Sequence, residues 1–170
     1  YGSTNDPALA APLTPSTKTA GGTAWYLNGK QNANAEEVYQ DILDMFYDLQ
    51  SKLEGNIDFD SKMTLIMSTK VSAALLITNN FKVQVRSILE LSFPNLRLAF
   101  VPEYSTESGE LVQLVADEIE GQRTWDCAFT EKLRAHPVFV DLSSFRQKKS
   151  QGTWGTVIYR PVAITGMLGV

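Results

Sequence analysis

The stretch Gln151–Val170 (QGTWGTVIYRPVAITGMLGV) constrains this chain more than any other part of it. Apolar and small residues alternate along it. Val162, Ile164, Gly166, Leu168 and Val170 share one register, and Ala163, Thr165 and Met167 share the other. Successive side chains of a pleated backbone leave on opposite faces, so a period of two predicts a strand. Most termini fray; one tied into a sheet predicts a scaffold whose last segment is structural.

Bulk properties narrow the class. With 170 residues and 44% hydrophobic content, the chain can bury a core without staples, as one domain or one domain with a smaller appendage. The single cysteine, Cys127, excludes an internal disulfide framework and a multi-cysteine zinc site. A formal net charge of -4 is unlike a domain that grips nucleic-acid phosphates, although a local basic strip stays open. No apolar run approaches the ~20 residues that cross a bilayer, so no membrane role is expected. The polar, Pro-punctuated start shows no secretory signal. The chain begins at Tyr1 without an initiator Met and reads as a piece of a longer protein.

Residues 1–33 predict an extended arm or loop. Pro7, Pro12 and Pro15 forbid regular structure, and Trp25, Tyr26 and Leu27 form its one dense apolar patch, expected to dock on the body. Asn34–Glu54 predicts a long helix. Asn34 caps it, Glu37 completes a capping box, and Val38, Ile42, Met45, Phe46, Leu49 and Leu53 form one apolar stripe; Gly55 ends it. Met63–Met67 predicts a buried strand. Ser68 opens a second helix to about Ile77, and Asn80 a third whose inner face is Val85, Ile88, Leu89 and Phe93. Leu96–Val101 predicts a strand stopped by Pro102, and Leu111–Ile119 a strand buried on both faces. Trp125–Thr130 and Leu133–Val140 predict extended segments, and Phe145–Lys149 and Trp154–Tyr159 two strands flanking a turn at Gln151–Gly152. Helices in the first half and strands in the second predict an α+β fold.

No pattern calls for a catalytic group, a cofactor or a metal. His136 is the lone histidine and Cys127 lies nine residues before it. A thiol hydrolase would have to use both, against the plainer reading of a buried thiol and a turn histidine. Asp58 with Asp60, and Asp117 with Glu118 and Glu120, lack the glycine-bearing spacing of a calcium loop and read as solvated faces. Gly21-Gly22 and Gly152-x-x-Gly155 do not match a phosphate loop. Arg146, Lys148 and Lys149 form the one basic cluster. It reads equally as charge protecting an edge strand or as a contact strip for a partner subunit or DNA. Trp154 beyond the turn either anchors that contact or belongs to the core.

The tracts YGSTNDPALAAPLTP, FPNLRLAFVPEY, LVQLVADEIEG and DLSSFRQKKSQGTWGTVIYRPVAITGMLG resemble prophage-encoded major capsid proteins of tailed bacteriophages, over nearly the whole chain. The resemblance implies the tailed-phage major capsid protein fold. In that fold a peripheral domain carries a long spine helix on a sheet, and an axial α/β domain points at the capsomer centre. It places the spine helix at Asn34–Glu54, the peripheral domain at 34–62 and 121–170, and the axial domain at 63–120. It implies a shell subunit, not an enzyme, that forms hexamers and pentamers with copies of itself. Scaffold protein and packaged DNA become further partners. Residence would be in the virion, after the bacterial cytoplasm. The family's N-terminal arm and overlapping hairpin loop are expected to precede Tyr1. An encapsulin-type compartment shell is the alternative within the same fold, and the Cys127/His136 hydrolase the alternative outside it.

Overall fold

Helix α1 (Ala35–Lys52) begins where the sequence places it. Asn34 is extended (ψ 163), and Glu37 Oε2 accepts its N–H at 2.7 Å. Val38, Ile42, Met45, Phe46 and Leu49 recur every third or fourth residue and are all buried. At the far end Gly55 N–H donates to the Gln50 carbonyl at 3.0 Å and Glu54 N–H to the Ser51 carbonyl at 3.3 Å. These are the paired bonds of a Schellman stop. Glu54 (φ 51), not Gly55, takes the first left-handed position, so the stop falls one residue earlier than expected.

The computed structural model describes residues 8–27 and 29–170. The strands are β1 (Tyr26–Leu27), β2 (Lys30–Gln31), β3 (Met63–Met67), β4 (Leu96–Phe100), β5 (Ser105–Thr106), β6 (Gly109–Ala116), β7 (Glu118–Ile119), β8 (Gln122–Arg123), β9 (Trp125–Asp141), β10 (Ser144–Ile158) and β11 (Ile164–Leu168). A second helix, α2 (Val85–Ser92), lies between β3 and β4. Two compact units result: one runs to Thr124 and resumes at Arg160, and the other is Trp125–Tyr159.

The larger unit is built on a sheet of order β11-β6-β3-β4, with β5 paired to the start of β6. β3 and β4 are parallel; the β3–β6 and β6–β11 pairs are antiparallel. β3 is buried at all its positions and β6 from Leu111 onward, so their near-continuous apolar sequence is that of central strands. Phe46 of α1 stacks on Phe59 (ring centroids 5.0 Å apart) and meets Phe93 edge-on (5.2 Å). Trp25, Met63, Leu65, Leu89, Leu114 and Met167 belong to the same core. Between β3 and α2, Val71–Leu76 is a 3-10 turn rather than the expected helix. Ile77 becomes extended (ψ 136), which lets Thr78 bridge to Gln84. The start of α2 therefore falls at Gln84, not Asn80.

β11 is shorter than the alternating stretch. Pro161–Ala163 forms a 3-10 turn, so Val162 is half exposed and outside the strand. It also stops short of the last residue: Gly169 is left-handed (φ 87) and Val170 lies beyond the strand, although Ile164, Thr165, Met167 and Val170 are all buried. The outer edge of β11 is covered by the arm. Leu13 N–H donates to the Gly166 carbonyl at 2.7 Å, and Leu168 N–H donates to the Leu13 carbonyl at 3.1 Å. Beside it, Gly109 (φ 124) faces Gly169 so closely that a Cβ would lie 2.9 Å from the Gly169 Cα, which only glycine permits.

The arm is more than a loop. Trp25 is fully buried and its Nε1–H donates to Asp41 at 2.6 Å. The Lys18 ammonium pairs with the same carboxylate, and both side chains are wholly buried. Ser16 Oγ donates to Asp41 at 2.7 Å. Residues 1–7 of the expected arm lie outside the described residues. The two units also fall at other boundaries than the expected 34–62 with 121–170 and 63–120. Helix α1 packs against β11 and β6, and residues 160–170 return to the same unit; only 125–159 stands apart.

Candidate assembly surfaces

The segment read as four short strands with a turn at Gln151–Gly152 is one long hairpin. β9 and β10 pair antiparallel from Trp125 opposite Ile158 to Asp141 opposite Ser144. The turn lies at Leu142–Ser143, with Leu142 left-handed (φ 49). A strand of 17 residues reaches roughly 55 Å at ~3.3 Å per residue. The apparent breaks are bulges. The register slips between Gln147/Val138 and Lys149/Ala135, so His136 and Pro137 together oppose Lys148. Proline has no N–H for the ladder, and a bulge accommodates it. Gly152 is not a turn residue either: a Cβ there would collide with Thr130 Oγ1 across the ribbon.

No residue of 125–159 is buried, yet the ribbon is rich in apolar side chains. Leu133, Phe139, Val140 and Phe145 are exposed, Trp154 is 76% exposed and Leu142, at the tip, 100%. A two-stranded hairpin is at best marginally stable by itself in water. Five basic residues (Lys132, Arg134, Arg146, Lys148, Lys149) stand against three acidic ones (Asp126, Glu131, Asp141), in a chain of net charge -4. All four expected contact residues sit on β10. Arg146 lies near the tip and pairs with Asp141 at 3.4 Å, both side chains exposed; Lys148 and Lys149 follow it, exposed. Trp154 is eight residues from Arg146, roughly 25 Å along the strand, so the ribbon separates the aromatic from the cationic cluster. Its exposure excludes the core reading.

The geometry removes the hydrolase. Cys127 and His136 lie on the same strand, nine residues and roughly 30 Å apart. Cys127 is exposed rather than buried. His136 Nε2 instead lies 3.0 Å from Ser150 Oγ, and that hydroxyl donates to Glu131 at 3.3 Å. A hydroxyl with one proton between an imidazole and a carboxylate is not an activated nucleophile, because the acid does not orient the base. Asp58 caps its own turn through Ser61. Asp117 is not a freely solvated face: Thr64 Oγ1 donates to it at 2.8 Å, and burial holds its carboxyl above the ordinary range. No trio of His, Cys, Asp or Glu among the described residues is arranged to hold a metal ion, and no helix among them is long and apolar enough to cross a membrane.

The fold recurs in solved structures. The chain is similar to the capsid of Myoviridae phage XM1 (TM-score 0.71, 14% identity, covering 99% of this chain and 53% of that one). It is also similar to the virus-like particle from Pyrococcus furiosus (TM-score 0.57, 12% identity, 93% and 57% covered). Mycobacterium phage Che8 follows (TM-score 0.50, 8% identity, 83% and 52% covered). At these identities the likeness is one of fold, and it defines an α+β capsid-type shell fold. The chain spans about half the length of each of these relatives. No curated protein matches it. Residues 1–169 match the family model of the Pa193 gp26 major capsid protein, and the chain belongs to that family.

Proposed function

We propose that this chain is the body of a bacteriophage shell subunit, which associates with copies of itself into hexamers and pentamers and encloses packaged DNA. The observation that carries the reading is the ribbon. Thirty-odd residues with no buried member and a row of exposed aromatics have physical sense in an assembly, where neighbouring surfaces cover them. Many modest contacts repeated by symmetry then sum to a stable container. The role is structural and placed in the virion, with assembly starting in the bacterial cytoplasm and a scaffold protein as a further partner. In domain terms, α1 serves as the spine helix of the peripheral part, to which the ribbon also belongs, and the segment from β3 to β6 supplies most of the axial part. The virus-like particle shares the fold at a lower TM-score than the phage capsid, and the family model is a phage capsid protein. A cargo compartment therefore gains no support over a phage shell.

Arg146, Lys148, Lys149 and Trp154 supply the ribbon's contact with a neighbouring subunit or with DNA. Electron microscopy of the complete protein tests the reading. Shells or capsomers are expected, and a protein that stays monomeric under every assembly condition overturns it. The variant R146E/K148E/K149E should assemble at least ten-fold less readily. Rising salt should weaken the wild type and partly restore the variant, since screening acts on attraction in the one and on repulsion in the other.

A further inference from the structure

The loop between the 3-10 turn and α2 is built to hold one side chain in water. Asn79 Oδ1 accepts the N–H of Phe81 at 2.9 Å and of Val83 at 3.0 Å. Asn79 N–H donates to the Val83 carbonyl at 2.9 Å, and Lys82 N–H donates to the Asn79 carbonyl at 2.9 Å. Lys82 is left-handed (φ 60), and Thr78 bridges Gln84 across the base. A loose loop could fold a phenylalanine back onto the body. This turn, closed on itself, presents Phe81 at 86% exposure. Leaving a large apolar side chain in water forgoes the favourable free energy of burying it.

The same unit carries a candidate receptor. An open groove of about 250 Å³ runs between α2 and β4, lined by Leu89, Leu96, Leu98 and Phe100, with Arg86 and Glu90. The last two are exposed and ion-paired at 2.8 Å. Among the described residues β4 pairs with β3 alone, so one wall is an open sheet edge, while the opposite edge of the sheet is covered by Leu13. Apolar walls with a charged rim are the pattern of an interface pocket that receives an aromatic anchor. Arg86 can lie against the face of an incoming ring. Lys82, beside Phe81, brings the charge opposite to that of Glu90.

We propose that Phe81 of one copy docks in the α2–β4 groove of the next copy. The inference rests on the shell reading above and names one contact within it. The occupant is a second copy because knob and groove belong to the same chain, yet the knob stands in solvent and the groove is open. A contact between two different patches of identical subunits is head-to-tail, and it closes into a ring when the rotation allows.

Sedimentation velocity on the complete shell protein tests it. Phe81→Ala removes an exposed ring, so circular dichroism and the unfolding midpoint should stay those of the wild type while self-association weakens at least ten-fold. Phe100→Ala, which removes a groove wall, should act the same way. Mixing the two variants is the decisive arm, because Phe81→Ala keeps an intact groove and Phe100→Ala an intact knob. Heterodimers should form at concentrations where each variant alone is monomeric. Wild-type association in Phe81→Ala, or a mixture that stays monomeric, overturns the proposal and leaves the shell reading standing. A wild-type protein that never associates overturns both.

Discussion

Glu37 binds three donors with one carboxylate. Oε1 accepts the Thr19 N–H and hydroxyl at 2.7 and 2.6 Å, and Oε2 accepts the Asn34 N–H. The Thr19 hydroxyl, followed by the Asn34 amide, holds its pKa below the ordinary glutamate range. A carboxylate whose folded pKa is depressed contributes stability that is present above its unfolded pKa and lost as pH falls through the folded one. Glu37→Gln should therefore cost about 0.5–1 kcal/mol at pH 7, at the low end for a cap because the group is well solvated. The gap between variant and wild type should begin to close as pH drops below about 4. Urea unfolding across that range reads both the size and the closing of the gap; a gap that stays constant with pH would assign the loss to packing instead.

At the scale of elements, the arm is a strap pinned at Lys18. Removing one partner of a buried pair leaves the other charge uncompensated, at a cost of about 3–5 kcal/mol. Asp41 keeps its bonds from Trp25 and Ser16, so Lys18→Met should fall near the lower end. The strap also covers β11, so the variant should speed hydrogen exchange at the Leu168 amide, which Leu13 accepts. Exchange there at the wild-type rate would show that the covering of β11 does not depend on Lys18. The elements that were legible in the sequence have an uninterrupted period. Helix α1 shows it at three and four, while β3, β4 and β6 show it as short apolar runs bounded by Ser, Pro or Gly. The ribbon was hidden because its bulges break alternation, and because Pro137 and Gly152 look like punctuation when they serve a register slip and a close approach to Thr130. A buried lysine in a Pro- and Thr-rich arm leaves no pattern at all, since its partner Asp41 lies 23 residues away. Phe81 was hidden for another reason: Asn80 next to it reads as a helix cap, whereas Asn79 organises a turn.

For the whole molecule, the ribbon enters and leaves the larger unit at one point. Arg160 N–H donates to the Thr124 carbonyl at 3.4 Å, so the backbone is already closed without residues 125–159. Replacing that segment by a two-residue Gly-Gly turn should leave the remainder folded, with its near-ultraviolet dichroism and cooperative unfolding retained, because none of its core comes from the ribbon. The shortened protein should not form shells under conditions where the intact one does. Loss of cooperative unfolding would show that the ribbon supports the unit from which it departs.

The pairing of Ile164 with Val115 spans the entire ribbon, and closing so long a stretch is slow compared with local helix formation. A chain emerging from the ribosome can wind α1 and bring β3 beside β4 early, but its sheet waits for a last strand encoded after the ribbon. Every copy that succeeds in sealing its interior thus already carries its reach. A product truncated within the ribbon lacks the strand that pairs with β6 and completes its own sheet.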